Sequence, residues 1–577
     1  MAKTVAHVLW EMLESAGVKR VYGVVGDALN PTLNALRDFP AIEFIHVRNE
    51  EAGTFAANAE SFVTGGPVAV CGTSGPGATH LINGLYDALH EGTPTIAIAG
   101  DVATSEIGSG MTEEVDTTQA YAACTLWRDR VEVPSQAPAA FRTAIDKALV
   151  DRGPVMLSIP GDVASAAYPK HDVPTQPIRM RRPVVCPAPA DLTELAGHIN
   201  AAEKVAIFGG DGCSDAADEV KELARRINAP VGYSWRGKAF LEEDNPNGVG
   251  MSGLLGWGGA YDAMHKADLL LMLGTDWPFD DFYPKDVKTV QVDLASGHLG
   301  RHAPHLDAGF VGDVGDTVRA LLPLIQQKSD STFLDNTLKK TAKAKKRLNH
   351  YVEHGPKITP IRPEYLISTI SDLADDDAAF TVDTGTAYIW SARYLEMTSQ
   401  RSLFGSASWA SMANAMPNSM GIQLAQPDRQ VVAFCGDGGV SMLMGELITI
   451  AERQLPVKLF VLNNGMLDFV NIEFQEAGLR PFGTTLWNPN FAKVAEAMGL
   501  TGMRVEDPAT MPEQVGAALA TPGPVLIDVV VEQHALAVPP HVSPAMGRRF
   551  GYSQMRQVLH GDVKDVADNV DKNLGLI

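Results

Sequence analysis

Short apolar runs alternate with stretches of helical periodicity along most of the chain. Within the first 170 residues, positions 20–25, 43–47, 67–72, 95–99 and 155–159 read as buried strands. The N-terminal stretch 1–17 reads as an amphipathic helix, with Val5, Val8, Leu9, Met12 and Leu13 on one side. A proline-rich passage from Pro169 to Pro189 reads as a linker. The alternation then resumes. Strands are expected at 205–208, 269–273 and 289–293, the first two running into Gly209-Gly210-Asp211-Gly212 and Gly274-Thr275-Asp276. A lysine-rich helix follows to about 355. The third alternating region, 360–531, includes strands at 431–435 and 457–462 with a helix over 442–453 between them. A segment from 532 to 577 ends in a further helix. Strands alternating with helices predict parallel sheets covered by helices. The expected fold class is α/β, with three doubly wound parallel-sheet domains at 1–170, 190–345 and 360–531. Linkers are expected at 171–189 and 346–359, and a C-terminal tail at 532–577.

The 577 residues are too many for one core, which agrees with several domains. A hydrophobic content of 45% and a charged content of 20% suit a globular protein. The formal net charge of −22 argues against a nucleic-acid-binding surface. The basic cluster at 339–347 reads as one face of an exposed helix. No secretory signal is visible, and no apolar run has the length of a membrane span. The five cysteines are scattered without CxxC spacing, so neither a zinc site nor a disulfide framework is indicated. A cytoplasmic location is the expectation.

The most informative stretch is Cys435-Gly436-Asp437-Gly438-Gly439, followed by an apolar-periodic segment and Leu462-Asn463-Asn464. Glycines at 438 and 439 allow backbone amides to approach phosphate oxygens at a helix start, where the dipole favours an anion. Asp437 and Asn464 fall at the carboxyl ends of neighbouring parallel strands, the usual ligand edge of such a sheet. A carboxylate, an amide oxygen and diphosphate oxygens suit Mg²⁺.

This spacing resembles the thiamine diphosphate and metal motif. The resemblance implies that Asp437, Asn464 and the backbone carbonyl of Met466 hold the metal, and that Gly438 and Gly439 cradle the diphosphate. It assigns Glu50, in His46-Val47-Arg48-Asn49-Glu50-Glu51, to activation of the aminopyrimidine. A buried carboxyl bonded to the ring nitrogen promotes the imino tautomer, which can then take the thiazolium proton. Met412 matches the apolar residue that props the cofactor in its bent form. Gly26, Gly385 and Thr386 are further implied cofactor contacts. The family builds its site between two subunits, so a homodimer or homotetramer is expected.

Over nearly the whole chain the sequence is most similar to quinone-dependent pyruvate oxidases. Segments carrying this are Val24 to Pro31, Ser74-Gly75-Pro76-Gly77, Ser105 to Gly110, Arg236-Gly237-Lys238, Gly250 to Gly256 and Leu273 to Asp276. The resemblance implies FAD in the middle domain, at Arg236, Gly253, Gly274, Thr275, Asp293 and Asp313, and places Phe469 near the thiazolium on the flavin side. The implied reaction is oxidative decarboxylation of a 2-oxo acid, pyruvate to acetate and CO₂, with electrons passing through FAD to a quinone. The alternatives are an acetolactate-synthase-type lyase or carboligase with structural FAD, an oxidase of another substrate, and a non-catalytic scaffold. The implied catalytic residues are Glu50, Phe469 and Glu113, and four positions depart from the pattern: Glu113 for Gln, Asp116 for His, Trp409-Ala410 for His-Gly and Asp468 for Gly. If Glu113 and Asp468 line the substrate pocket, they disfavour a small anion such as pyruvate. In these relatives the C-terminal segment is a membrane-binding tail. Here, over 552–577, Asp562, Asp565, Asp568 and Asp571 outnumber Arg556, Lys564 and Lys572, so membrane contact is expected to be weak and peripheral at most.

Overall fold

The computed structural model describes residues 3–168, 184–303, 305–539, 541, 544–560 and 563–573. The chain forms three parallel-sheet α/β domains. In the first sheet the strands lie in the order Glu43–His46, Arg20–Gly23, Val68–Gly72, Thr95–Asp101, Val155–Pro160, Trp127–Arg130. Every pairing is parallel, and the central strands are apolar and fully buried, as expected under helices on both faces. The third sheet repeats that order with Ser402–Phe404, Ala379–Val382, Val431–Gly436, Lys458–Asn463, Val525–Val530 and Thr501–Val505.

The middle sheet has seven strands, with Val205–Gly209 and Leu269–Leu273 adjacent near its centre and Lys288–Asp293 and Leu306–Val311 beyond them. Its other edge ends in the two-residue strand Trp257–Gly258, which pairs antiparallel with Gly248–Met251. This short strand is a departure from an all-parallel reading.

The helix Glu50–Thr64 starts where Asn49 accepts a hydrogen bond from the Glu51 amide, and it ends at left-handed Gly65. It crosses the helix Ala415–Ala425 at close range. A Cβ on Gly421 would lie 1.8 Å from the Ala56 carbonyl oxygen, so only glycine permits this approach between the first and third domains.

Three expectations change. The helix read at 442–453 is two helices, Asp437–Met442 and Glu446–Glu452. The first begins at Asp437 because Gly436 is extended there, and the backbone turns out of helix at Leu443 before restarting after Gly445. The lysine-rich helix Thr332–His354 continues through the boundary expected at 345/346. The tail forms two helices, Pro544–Leu559 and Val563–Asn573. Most of the expected 171–189 linker lies outside the described residues. No described helix is long and apolar enough to cross a membrane.

Candidate cofactor site

At the carboxyl edge of the third sheet, Asp437 is 3% exposed. Its Oδ1 accepts from the Gly438 amide at 2.8 Å, and its Oδ2 accepts from the Gly465 amide at 2.7 Å and Asn488 Nδ2 at 2.8 Å. Burial raises this carboxyl above its ordinary range, while the donated hydrogen bonds pull it back. Asn464 Oδ1 accepts from the Met466 amide at 3.0 Å. Its neighbour Asn463 turns the other way and donates to Asp528 Oδ1 at 2.8 Å. Asn488 bridges the two strands, since Nδ2 also donates to Asn463 Oδ1 at 2.9 Å.

The glycines are dictated by space. A Cβ on Gly438 would lie 2.9 Å from Leu467 and 3.2 Å from Met412 Cε, so the structure brings Met412 to the glycine turn. A Cβ on Gly439 would lie 1.8 Å from a carboxyl oxygen of Asp383. Asp383 is buried and pushed up to about 7 by desolvation, against hydrogen bonds from Ala415, Gly436, Asn414 and Ala413. It ties the glycine turn to the Met412 loop, where Ala410 and Ala413 are both left-handed, at φ 58° and 66°. Gly385, at φ 141°, precedes the helix Thr386–Tyr394. Sequence reasoning missed Asp383 and Asn488, whose partners lie dozens of residues away.

In the first domain, Glu50 opens its helix and is 6% exposed. His80 Nδ1 lies 2.9 Å from Glu50 Oε2. Gly26 faces Thr73, whose Cβ would be 2.3 Å from an added Cβ. Glu113 is exposed, left-handed at φ 66°, and accepts from Ser74 Oγ at 2.7 Å. Asp116 caps the short helix Thr117–Ala120, and its hydrogen bonds with Thr118 and Gln119 hold its carboxyl below the ordinary range. Trp409 stacks on Tyr86 at 4.4 Å and donates to Asn83 Oδ1 at 2.7 Å. Asp468 is buried at the start of the helix Asp468–Glu476, pushed up to about 7 by desolvation, and its acidic neighbours are Asp437 and Glu532. Glu113 and Asp468 thus occupy separate surroundings in the chain. Phe469 is half-buried against the core of the middle and third domains.

In the middle domain, Arg236 pairs with Glu91 and, at 3.0 Å, with Asp211. Gly253 and Gly274 are left-handed and packed against the Trp277 ring and Gly212. The Thr275 carbonyl accepts from Gln291, and Asp293 Oδ1 accepts from the Ala295 amide at 2.9 Å and contacts His298 Nδ1 at 3.1 Å. Asp313 caps the helix Val314–Leu321, a structural task.

The fit to the expected groups is favourable. Asp437, the Asn464 amide and the Met466 carbonyl offer oxygen ligands, while no described cluster of three His, Cys, Asp or Glu competes for a metal. Around the middle sheet's carboxyl edge, Trp235 Nε1, Arg236 Nε, Ser252 Oγ and Asp276 Oδ1 are buried without a hydrogen-bond partner. Such orphaned atoms are what a polar ligand would satisfy.

Three family models match the chain. Residues 3–120 match the N-terminal TPP binding domain of the thiamine pyrophosphate enzymes, 192–321 the central domain and 383–529 the C-terminal TPP binding domain. The chain is 32% identical to a Bacillus subtilis protein named "Putative thiamine pyrophosphate-containing protein YdaP", over 92% of each chain. It is 30% identical to the acetolactate synthase isozyme 1 large subunit of Escherichia coli, over 93% of this chain and 95% of that one. The mitochondrial acetolactate synthase of Schizosaccharomyces pombe is also 30% identical, over 92% and 84%.

Proposed function

The chain belongs to the thiamine pyrophosphate enzyme family, and we propose that it decarboxylates a 2-oxo acid and joins the remaining acyl unit to a second carbonyl compound, as acetolactate-synthase-type carboligases do. The observation that carries this reading is the constellation of buried Asp437 with half-buried Gly438, Met412 and Asn464 at the third sheet's edge. Relatives named as acetolactate synthases match across most of both chains, which supports the carboligase form. Thiamine diphosphate, when bound, supplies the carbon nucleophile and the sink for the electron pair left as CO₂ departs. In this proposal Asp437, Asn464 and the Met466 carbonyl hold Mg²⁺, and Gly438 and Gly439 admit the diphosphate. Met412 supports the ring system, and Glu50 holds the proton at the pyrimidine nitrogen. The orphaned polar atoms around Trp235, Ser252 and Asp276 are offered to FAD, with Arg236, Gly253 and Gly274 beside them. A homodimer or homotetramer completes the proposal. It is supported by Phe482 and Trp487, which lie beyond the metal loop and are 86% and 90% exposed.

A second reading has one specific support. The Trp235 and Tyr388 rings lie 4.5 Å apart, so the middle domain's ligand edge abuts the third domain. A flavin held there would lie beside the third domain, which suits electron transfer and supports a 2-oxo acid oxidase passing electrons to a quinone. Anaerobic stopped-flow mixing of the holoenzyme with pyruvate separates the readings. The carboligase reading expects condensation product with an unbleached flavin. Flavin bleaching at the rate of turnover would establish the oxidase, and turnover of neither kind would direct attention to another 2-oxo acid.

A further inference from the structure

The helix Pro76–Glu91 presents a stripe of three residues to the start of the helix Glu50–Thr64. Gly77 makes room for the carboxyl: a Cβ there would lie 3.0 Å from Glu50 Oε1. His80, one turn on, places Nδ1 2.9 Å from Glu50 Oε2. Asn83, a turn further, donates to Glu51 Oε1 at 2.8 Å and accepts from Trp409 at 2.7 Å, which fixes the register of the two helices. The Glu50 side chain is 7% exposed, whereas the His80 side chain is 51% exposed. A half-exposed imidazole therefore sits directly on a buried carboxyl.

Resting on the reading that Glu50 serves the pyrimidine, we propose that His80 is its positioning residue and proton relay, exchanging the Glu50 proton with solvent. In the inward step Nδ1 gives its hydrogen to the Glu50 Oε2 carboxylate oxygen while a solvent hydronium gives one to Nε2 and leaves as water, so the ring changes tautomer and stays neutral. The reverse pair of transfers carries a proton outward. An imidazole is suited to this because each nitrogen can be donor or acceptor near neutral pH. A glutamine at position 80 can keep the hydrogen bond to Glu50 but cannot pass a proton through itself, which separates orientation from relay.

The test is solvent deuterium exchange at the thiazolium carbon of thiamine diphosphate bound to the full-length protein with Mg²⁺, read by acid quench and proton NMR. His80→Gln and His80→Ala should each slow exchange roughly 10-fold or more, within the range for losing a proton-transfer group. Added imidazole should restore part of the rate in His80→Ala. In cofactor-free protein labelled with ¹⁵N-histidine, the His80 Nδ1 resonance should shift in Glu50→Gln. Wild-type exchange in His80→Gln, or no imidazole rescue in His80→Ala, overturns the relay while leaving Glu50 in place. Wild-type exchange in Glu50→Gln would instead overturn the reading of Glu50, and the relay with it. An unmoved His80 resonance in Glu50→Gln contradicts the contact itself.

Discussion

The first and third domains share one strand order and carry opposite chemistry at the same edge. Both sheets place their second strand outermost, then the first, third, fourth, sixth and fifth. In the first, the loop after Glu43–His46 delivers a buried acid, Glu50, with a histidine on it. In the third, the loops after Val431–Gly436 and Lys458–Asn463 deliver glycines and the side-chain oxygens of Asp437 and Asn464. The strands set where chain ends point, and the residues just past them decide what happens there. On the proposed reading the third domain holds the cofactor and the first domain activates it. The two are also joined within the chain: Glu446, on the helix after the glycine turn, accepts from the Arg48 and Asn49 amides at 2.7 and 2.8 Å, immediately before Glu50.

Substitutions can break this division of labour. Turnover is where the first domain should be felt most. Glu50→Gln should lower kcat by roughly 10²-fold or more, with circular dichroism and melting temperature near wild type. A kcat within a few-fold of wild type would remove the first domain from the chemistry. The third domain should respond in stability instead. Gly439→Val forces a Cβ into Asp383, and overpacking of this kind costs about 1–3 kcal/mol. Denaturant unfolding should show that loss. An unchanged midpoint would mean the turn relaxes freely.

The pH dependence sharpens the same contrast. Burial lifts Asp383 to about 7, above its unfolded range, so its contribution to stability is fully present at low pH. That contribution is lost as pH rises from about 4 through about 7. Asp383→Asn should therefore flatten the fall in stability across that window, an effect on the order of 4 kcal/mol. Parallel curves for both proteins would contradict it.

The smallest expected effect lies on the tail, an addition that only the third domain carries. The helix Pro544–Leu559 packs on Asp468–Glu476, with Gln554 donating to Gln475 at 2.6 Å. Cosedimentation with anionic vesicles should be weak, because acidic residues outnumber basic ones over 552–577. Substantial binding would show that apolar burial outweighs charge.

The sheets were readable because their inner strands are unbroken apolar runs. Val68–Gly72 and Leu269–Leu273 begin and end within a residue of expectation. Trp127–Arg130 was not readable: it is an edge strand of alternating charge, held only by Val155–Pro160. The Asp437-Gly438-Gly439 turn could be read because its residues are near in sequence and its glycines are costly elsewhere. Asp383, Asn488 and Glu446 act across 53, 51 and 398 positions of chain, separations at which a single sequence carries no local signal. His80 lies between these cases. The stripe Gly77, His80, Asn83 has helical spacing and could have been noticed, but nothing local says that it faces Glu50.

The claim that one domain holds and the other activates is tested most directly by calorimetric titration of thiamine diphosphate, in Mg²⁺, into wild type, Asp437→Ala and Glu50→Gln. The account predicts near-wild-type affinity in Glu50→Gln and a loss of roughly 100-fold or more in Asp437→Ala, about 3 kcal/mol. Equal affinities in Asp437→Ala and wild type would contradict it.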